Sequence, residues 1–254
     1  MSRPNRIQYP GALYHVTARG NRRNHIFVDD RDHLIWLDLL AGTIDRFGIV
    51  THAYVHMPNH YHLLVETPQA NLSASMQHLN SLYAQTFNKR HGMTGHVMQG
   101  RFHAVLIERE AHLLELARYI ALNPVRAELV KEAEQWRWSS YAGLYHAAPG
   151  NSCVTEDWLL GQFAGRDRAE RIQAFGRFVA QGKGLADPIQ DLPAYITPPV
   201  PGVGLAAITA QYSNRNAAML KAYRSGGYSV SQIAEHFGVS EKTVRRAMQN
   251  EADS

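Results

Sequence analysis

The chain has 254 residues, 45% of them hydrophobic and 19% charged, a composition that suits a globular protein with one large domain or a main domain and a small one. No run of about 18 apolar residues is present, which excludes a membrane-spanning helix; no membrane partner is expected, and Met1-Ser2-Arg3-Pro4-Asn5-Arg6 lacks the apolar core of a signal peptide. The formal net charge is +4, and the single Cys153 rules out an internal disulfide, so the expected compartment is a reducing cytoplasm.

The positive excess lies at the two ends: residues 1–150 hold 15 Lys and Arg against 12 Asp and Glu, and residues 205–254 hold 6 against 4. Such a balance permits an anionic partner such as nucleic acid without requiring one. Arg19, Arg22 and Arg23 flank Gly20-Asn21 in an expected loop, where they either contact phosphates or are simply solvated.

In chain order, residues 12–19 read as a strand after the Pro10-Gly11 turn. Residues 30–47 read as a helix, with Leu34, Leu37, Ile44 and Phe47 at helical spacing, Asp29 or Asp30 as its cap and Gly48 at its end. Residues 49–56 are a second strand. Met57-Pro58-Asn59 turns it into a third, residues 60–66, whose alternation puts His60, His62, Leu64 and Glu66 on one face and Tyr61, Leu63 and Val65 on the other. If the hairpin pairs His56 with His60, then His52, Tyr54 and His56 share the face of His60 and His62.

Residues 70–90 form a second long helix with the stripe Leu72, Met76, Leu79, Leu82, Tyr83 and Phe87. A fourth strand spans 102–108 and a third helix 110–123. The order strand, helix, strand, strand, helix, strand, then an added helix is the split β-α-β pattern of an α+β, ferredoxin-like antiparallel sheet. Two helices cover one face; the face with His60 and His62 is left for the last helix and a ligand. On that helix His112, Glu115, Tyr119 and Asn123 follow at steps of three, four and four along one flank, beside the stripe Leu113, Leu116, Ala117 and Ile120. Asn123-Pro124 also reads as cap and first position of a further short helix, Pro124 to Val130.

Trp136, Trp138 and Tyr141 either stack on bases or pack their segment back onto the sheet. Residues 155–164 and 166–181 read as two helices, a helical extension over 148–185 of the domain 1–147. Residues 186–204 hold five Pro and two Gly and form a stiff linker. Beyond it, residues 205–254 are helical. Ser229-Val230-Ser231-Gln232 is a capping box, Gly238 a tight turn, Val239 a corner plug and Ser240 the next cap. That spacing is either a plain helical hairpin or a helix-turn-helix whose second helix enters a major groove of duplex DNA with Lys242, Arg245 and Arg246.

Two imidazoles two residues apart on a strand are able to reach one metal ion. With 14 His in the chain a chance pair is also to be weighed. What distinguishes this pair is the company of Tyr119 and Asn123. The set His60-Tyr61-His62 with Tyr119 and Asn123 resembles the single-tyrosine transposases of the His-hydrophobe-His nuclease superfamily. Met57-Pro58-Asn59-His60-Tyr61-His62-Leu63-Leu64, Gln99-Gly100-Arg101-Phe102, Arg118-Tyr119-Ile120-Ala121-Leu122-Asn123-Pro124-Val125-Arg126 and Trp138-Ser139-Ser140-Tyr141 are similar to its bacterial repeat-associated branch, domesticated relatives of insertion-sequence enzymes. The resemblance covers roughly residues 6–145.

It implies Tyr119 as nucleophile, His60, His62 and Asn123 as ligands of Mg or Mn, Arg101 among the DNA-contacting arginines, and a substrate of single-stranded DNA beside a short hairpin. Imidazole ligands by themselves suit Zn or Mn better than Mg. Attack by the phenol, whose unperturbed pKa is about 10, yields a 5′-phosphotyrosine and a free 3′-hydroxyl. Two rivals stand beside this reading: a DNA-binding regulator that keeps the fold without catalysis, and a zinc hydrolase built on the His pair. A monomer and a homodimer are both compatible with the sequence.

Overall fold

Four strands make one sheet in the order β2-β3-β1-β4, where β1 is Ala12–Arg19, β2 Val50–Met57, β3 His60–Thr67 and β4 His103–Ile107. Every pairing is antiparallel. With helices α1 (Asp30–Phe47) and α2 (Leu72–His91) between them, this is the ferredoxin-like arrangement expected from the element order. The computed structural model describes residues 8–107, 113–146, 150–185, 205–212, 214–224, 228, 230–240, 243, 244 and 247.

Local chemistry sets the ends of the helices. The Asp29 side chain accepts from the Asp32 N–H at the start of α1, and Gly48, at φ +63°, closes it in the left-handed conformation that glycine adopts without strain. One sheet face, carrying Tyr14, Val16, Tyr54, Tyr61 and Leu63, is buried together with Trp36, Leu40, Met76, Leu79 and Tyr83 of α1 and α2. Each such side chain contributes on the order of 1.5–3 kcal/mol by leaving water.

The β2–β3 hairpin departs from the expected register. Met57, not His56, pairs with His60, and the loop is the two residues Pro58-Asn59. A two-residue loop is the commonest hairpin connection, and a slip of one residue exchanges the faces of a strand. Tyr54 and His56 therefore lie on the face of Tyr61, not on that of His60 and His62. His56 is fully buried, with Phe27 and His33 at 4.4 and 5.2 Å between ring centres. A bulge between Thr51 and Ala53 leaves His52 as the extra residue, and its Nε2 lies 3.2 Å from Glu66 Oε2.

The third helix, α3 (Leu113–Arg126), also differs from expectation. It runs through Pro124, and no new helix starts at Asn123. Pro124 brings no N–H to the ladder. The Asn123 side chain instead donates from Nδ2 to the Tyr119 carbonyl at 2.9 Å, while the carbonyls of Asn123 and Pro124 accept from Ala127 and Leu129 and close the last turn. Leu113, Leu116 and Ile120 pack on Leu13, Val55, Leu64, Val105 and Ile107, so α3 covers much of the second sheet face.

Trp136 to Ser139 runs along the edge of β2. His56 N–H donates to the Trp138 carbonyl at 2.9 Å, Trp136 Nε1 donates to the His56 carbonyl at 2.7 Å, and Val55 bridges Ser139. The two tryptophans thus protect a sheet edge, with Trp138 stacked on His33. After α4 (Ser140–Gly143), the expected helix 155–164 is reduced to the single turn α5 (Asp157–Leu160), followed by α6 (Arg168–Gln181). Ile172, Phe175 and Val179 of α6 pack against Ala117, Ala121 and Leu122 on the outer side of α3. Cys153 is buried.

The chain divides into two compact units, Ala12–Tyr195 and Met1–Gly11 with Ile196–Ser254. In the second, α7 (Leu205–Gln211), α8 (Arg215–Arg224) and α9 (Val230–Phe237) surround Ile208, Met219, Ala222, Ile233, Ala234, Val244 and Ala247. Gly238 at φ +62° ends α9, Val239 N–H bonds back to Ala234, and Ser240 Oγ accepts from Thr243 N–H. These are the turn and second cap of a helix-turn-helix. The linker 186–204, Ser229, Lys242, Arg245 and Arg246 lie outside the described residues.

Candidate active site

Strand register brings a second pair of histidines to the face of His60 and His62. Thr17 of β1 pairs with both His62 and His103, Arg19 pairs with His60, and His15 lies two residues from Thr17 on the same face. His15 and His103 were not singled out from the sequence. For His15 the signal was parity within β1, which acquires meaning once the register with β3 is known, and for His103 it was the pairing of β4 with β1.

His15 Nε2 and His62 Nδ1 are 2.8 Å apart. Their rings are 6° from parallel with centres 5.0 Å apart. The short N–N contact plus the two ring radii accounts for that separation, so the rings lie end to end in one plane and are not piled face to face. Thr17 Oγ1 is 3.4 Å from both nitrogens. His60 Nδ1 meets Asn59 Oδ1 at 2.6 Å, and its ring stands nearly perpendicular to that of His62, centres 4.9 Å apart.

Burial keeps these imidazoles neutral. It holds His60 down at about 4, with the nearby Arg19 charge adding to the effect. It holds His15 at about 3, helped by His103. His62 is pushed well below the usual histidine range by burial and by its neighbours His15, His60 and Arg19. Neutral imidazole is the ligating form. His62 Nε2 is buried and has no hydrogen-bond partner.

Tyr119 approaches from α3. Its ring meets His62 edge-on at 5.6 Å and His15 at 6.3 Å between centres. Asn123, one turn further on, is 9% exposed. With its Nδ2 committed to the Tyr119 carbonyl, Oδ1 is the end that remains to accept or ligate. Arg126 places its guanidinium carbon 5.0 Å from the centre of the Tyr119 ring. Arg118, the neighbour of Tyr119, turns away to lie 4.3 Å over Phe178. Among the described residues no group of three or more His, Cys, Asp or Glu side chains converges as a metal site. Any cation here would rest on the imidazoles of His60 and His62, an amide oxygen and non-protein oxygens.

The arginine loop adjoins this site through Asn59. Gly20 N–H donates to the Asn59 carbonyl, Asn59 Nδ2 donates to the Arg23 carbonyl, Gln99 N–H donates to the Arg19 carbonyl, and Gly20 bridges Met98. Arg19, Arg22, Arg23 and Arg101 are all exposed at this end of the sheet. Arg22 and Arg23 hold φ of +53° and +62°, a conformation unusual for residues with a side chain. Gly20 is required sterically, since a Cβ there would lie 2.0 Å from the Asn24 carbonyl oxygen.

Residues 8–123 match the model of the IS200-like transposase family, and residues 215–252 match that of a homeodomain-like domain. No curated protein matches the chain. Among solved structures, a REP-associated tyrosine transposase bound to a REP hairpin is 21% identical, with 65% of this chain and 92% of that one covered at a TM-score of 0.49. A protein of Deinococcus radiodurans R1 assigned as a transposase is 20% identical, covering 47% and 95% at a TM-score of 0.34.

Proposed function

We propose, from the match of residues 8–123 to the model of the IS200-like transposase family, that this domain cleaves and rejoins single-stranded DNA through Tyr119. The observation that carries the reading is the meeting of Tyr119 with His62: a phenol on α3 set edge-on, 5.6 Å between ring centres, against the strand that bears the histidine pair.

In this reading the Tyr119 oxygen attacks the scissile phosphorus. The Tyr–O–P bond forms, the P–O3′ bond breaks, the phenol proton passes to solvent and the leaving 3′-oxygen takes one up. The ester is conserved in the 5′-phosphotyrosine, so a second 3′-hydroxyl is able to reverse the step and join new ends without a nucleotide cofactor. His60 and His62, neutral and with one buried nitrogen unpartnered, fit a divalent cation, Mg or Mn, and Asn123, one turn beyond Tyr119, would add its amide oxygen as a further ligand. Such a cation supplies Lewis-acid polarisation of the phosphodiester when bound. Arg19, Arg22, Arg23 and Arg101 hold backbone phosphates next to the site, and Arg126 sits where it would face charge developing near the phenol. The substrate class, single strands beside a hairpin repeat, is proposed from the motifs shared with the repeat-associated branch.

The helix-turn-helix module supplies a second DNA contact, to duplex, through Lys242, Arg245 and Arg246. That module is also what a regulator without catalysis would use, and one experiment separates the two readings. DNA labelled on the fragment that keeps the 5′-phosphate is incubated with protein and Mn2+, run on a denaturing gel, and the adduct is peptide-mapped. A covalent adduct on Tyr119, lost in Tyr119→Phe, supports strand transfer. No adduct with a folded, DNA-binding protein leaves the regulator, and free 5′-phosphate ends made by Tyr119→Phe point to a water-using nuclease.

A further inference from the structure

Two imidazoles serve one cation only if each turns a lone pair, and not an N–H, toward it. At His60 the hydrogen bonds settle which nitrogen that is. Asn59 Nδ2 donates to the Arg23 carbonyl at 3.2 Å, so Oδ1 is the end that meets His60 Nδ1 at 2.6 Å. Turning the amide over would set its oxygen against the Arg23 carbonyl oxygen. An amide oxygen accepts and never donates. His60 Nδ1 therefore carries the proton, and Nε2 the lone pair.

At His62 the same question falls on His15. One proton lies between His15 Nε2 and His62 Nδ1, across 2.8 Å and in the plane of both rings. Either choice leaves one buried N–H without an acceptor, His62 Nε2 if His15 donates and His15 Nδ1 if His62 donates, so it is the cation that decides between them. If His62 donates it, His62 Nε2 is a lone pair, the state that a cation beside His60 requires. His15 is 3% exposed and fixed on β1, with Thr17 Oγ1 at 3.4 Å closing the side of the pair. It is thus built into the sheet and is not an adaptable surface group.

We propose that His15 and Asn59 are positioning residues for the metal site: each accepts the Nδ1 proton of one histidine of the pair, and together they present both Nε2 lone pairs to the same cation. The proposal rests on the metal reading of His60 and His62 given above. Partners of this kind fix ring orientation and raise ligand basicity, and their loss costs about 10- to 100-fold in metal affinity. Asn59 has a second consequence. The group that sets His60 also holds the Arg23 carbonyl, so the phosphate-facing loop and one ligand share a single amide.

The test has two arms, both on the full chain. Histidine ring tautomers are read from two-bond 1H–15N spectra of the Mg2+-saturated protein; His60 and His62 are both expected with the proton on Nδ1, and a His62 protonated on Nε2 overturns the proposal. Mn2+ affinity is then measured by calorimetry for wild type, His62→Ala, His15→Ala, His15→Gln and Asn59→Ala. His62→Ala is expected to abolish binding, and His15→Ala and Asn59→Ala to weaken it about 10- to 100-fold. His15→Gln, whose amide oxygen accepts the same proton, should regain part of the loss, and it keeps the test decisive if His15→Ala does not fold. Wild-type affinity in His15→Ala overturns the proposal, whereas a wild type that takes up no Mn2+ overturns the metal reading itself.

Discussion

Arg126 lies two helical turns beyond Tyr119 and holds its guanidinium 5.0 Å from the centre of the Tyr119 ring, while its Nη2 donates to the Leu185 carbonyl at 3.1 Å. The cation is therefore tethered on one side and leans on the phenol on the other. At an exposed site a cation–π contact is worth only about 0.5–1 kcal/mol. Arg126→Ala should thus leave the unfolding midpoint nearly unchanged. A fixed positive charge beside a developing phenolate and a phosphate is worth more in the reaction than in the fold. Cleavage by Arg126→Ala is expected to fall by about 10- to 100-fold, with Arg126→Lys between the two because it keeps the charge and loses the planar fork. Equal single-turnover rates for Arg126→Ala and wild type would count against any role for the guanidinium in the chemistry.

The left-handed backbone of Arg22 predicts opposite signs for stability and binding. A residue with a Cβ at φ +53° is strained, and glycine is not. Arg22→Gly should raise stability by roughly 0.5–1 kcal/mol in urea. The same change removes an exposed cation at the arginine end of the sheet. Affinity for single-stranded DNA should drop, and the slope of log affinity against log salt should shrink by about 0.7, the share of one phosphate contact on a single strand. A variant that is more stable and binds DNA with an unchanged salt slope would place phosphate contacts elsewhere.

Much of this was legible in the sequence, for reasons visible in individual residues. The bounds of β1 and α1 follow from Pro10-Gly11, Asp29 and Gly48, which act through local backbone chemistry. The face of β2 was not legible, because it depends on whether the hairpin loop has two residues or three, and Met57-Pro58-Asn59 admits both. Asn123-Pro124 misled for a related reason. Asn before Pro is a sound capping pair in an isolated segment, but Ile120, Leu122 and Pro124 are buried here, and tertiary packing carries the helix through the proline. His15 was out of reach because its importance arises from a 2.8 Å contact with a residue 47 positions away.

Acid should destabilise the protein through His33, on the sheet face remote from His60 and His62. Burial lowers His33 from the usual 6.5 to about 4, against the attraction of Asp30, Asp32 and Asp29 and with the repulsion of Arg137. Its Nδ1 lies 3.0 Å from that of His56, whose pKa burial also depresses. The unfolded chain takes up a proton near pH 6.5 and the folded one not until about 4, so stability is full above 6.5 and is lost as pH falls between those values. At pH 5 one such group costs about 2 kcal/mol. His33→Gln, which removes the titrating ring and keeps a hydrogen-bonding side chain toward His56, should reduce the drop in urea stability between pH 7 and pH 5 by about that amount. An identical drop in the two proteins would assign the acid sensitivity to other groups.

Where the chain is cut should decide whether the chemistry survives. Tyr119 and Asn123 sit on α3, and α3 is held from both sides: Leu116 and Ile120 pack inward on the sheet, while Ala117, Ala121 and Leu122 pack outward on Ile172, Phe175 and Val179 of α6. Arg118 lies over Phe178 and Arg126 bonds the Leu185 carbonyl, so contacts from the site helix reach as far as residue 185. A chain ending after residue 185 keeps all of them and loses the helix-turn-helix unit. It should retain Mn2+ binding and the Tyr119 adduct at high DNA concentration, with affinity for duplex reduced. A chain ending at residue 147 keeps every proposed ligand and the proposed nucleophile, yet strips the outer side of α3. The loss of Ile172, Phe175 and Val179 removes on the order of 1.5–3 kcal/mol of burial each, a large part of the margin of an ordinary domain. The shorter chain is therefore expected to lose cooperative unfolding and cleavage together. Thermal denaturation and the adduct gel, run on both truncations, check this; a fully active chain ending at 147 would show that α6 is dispensable to the site.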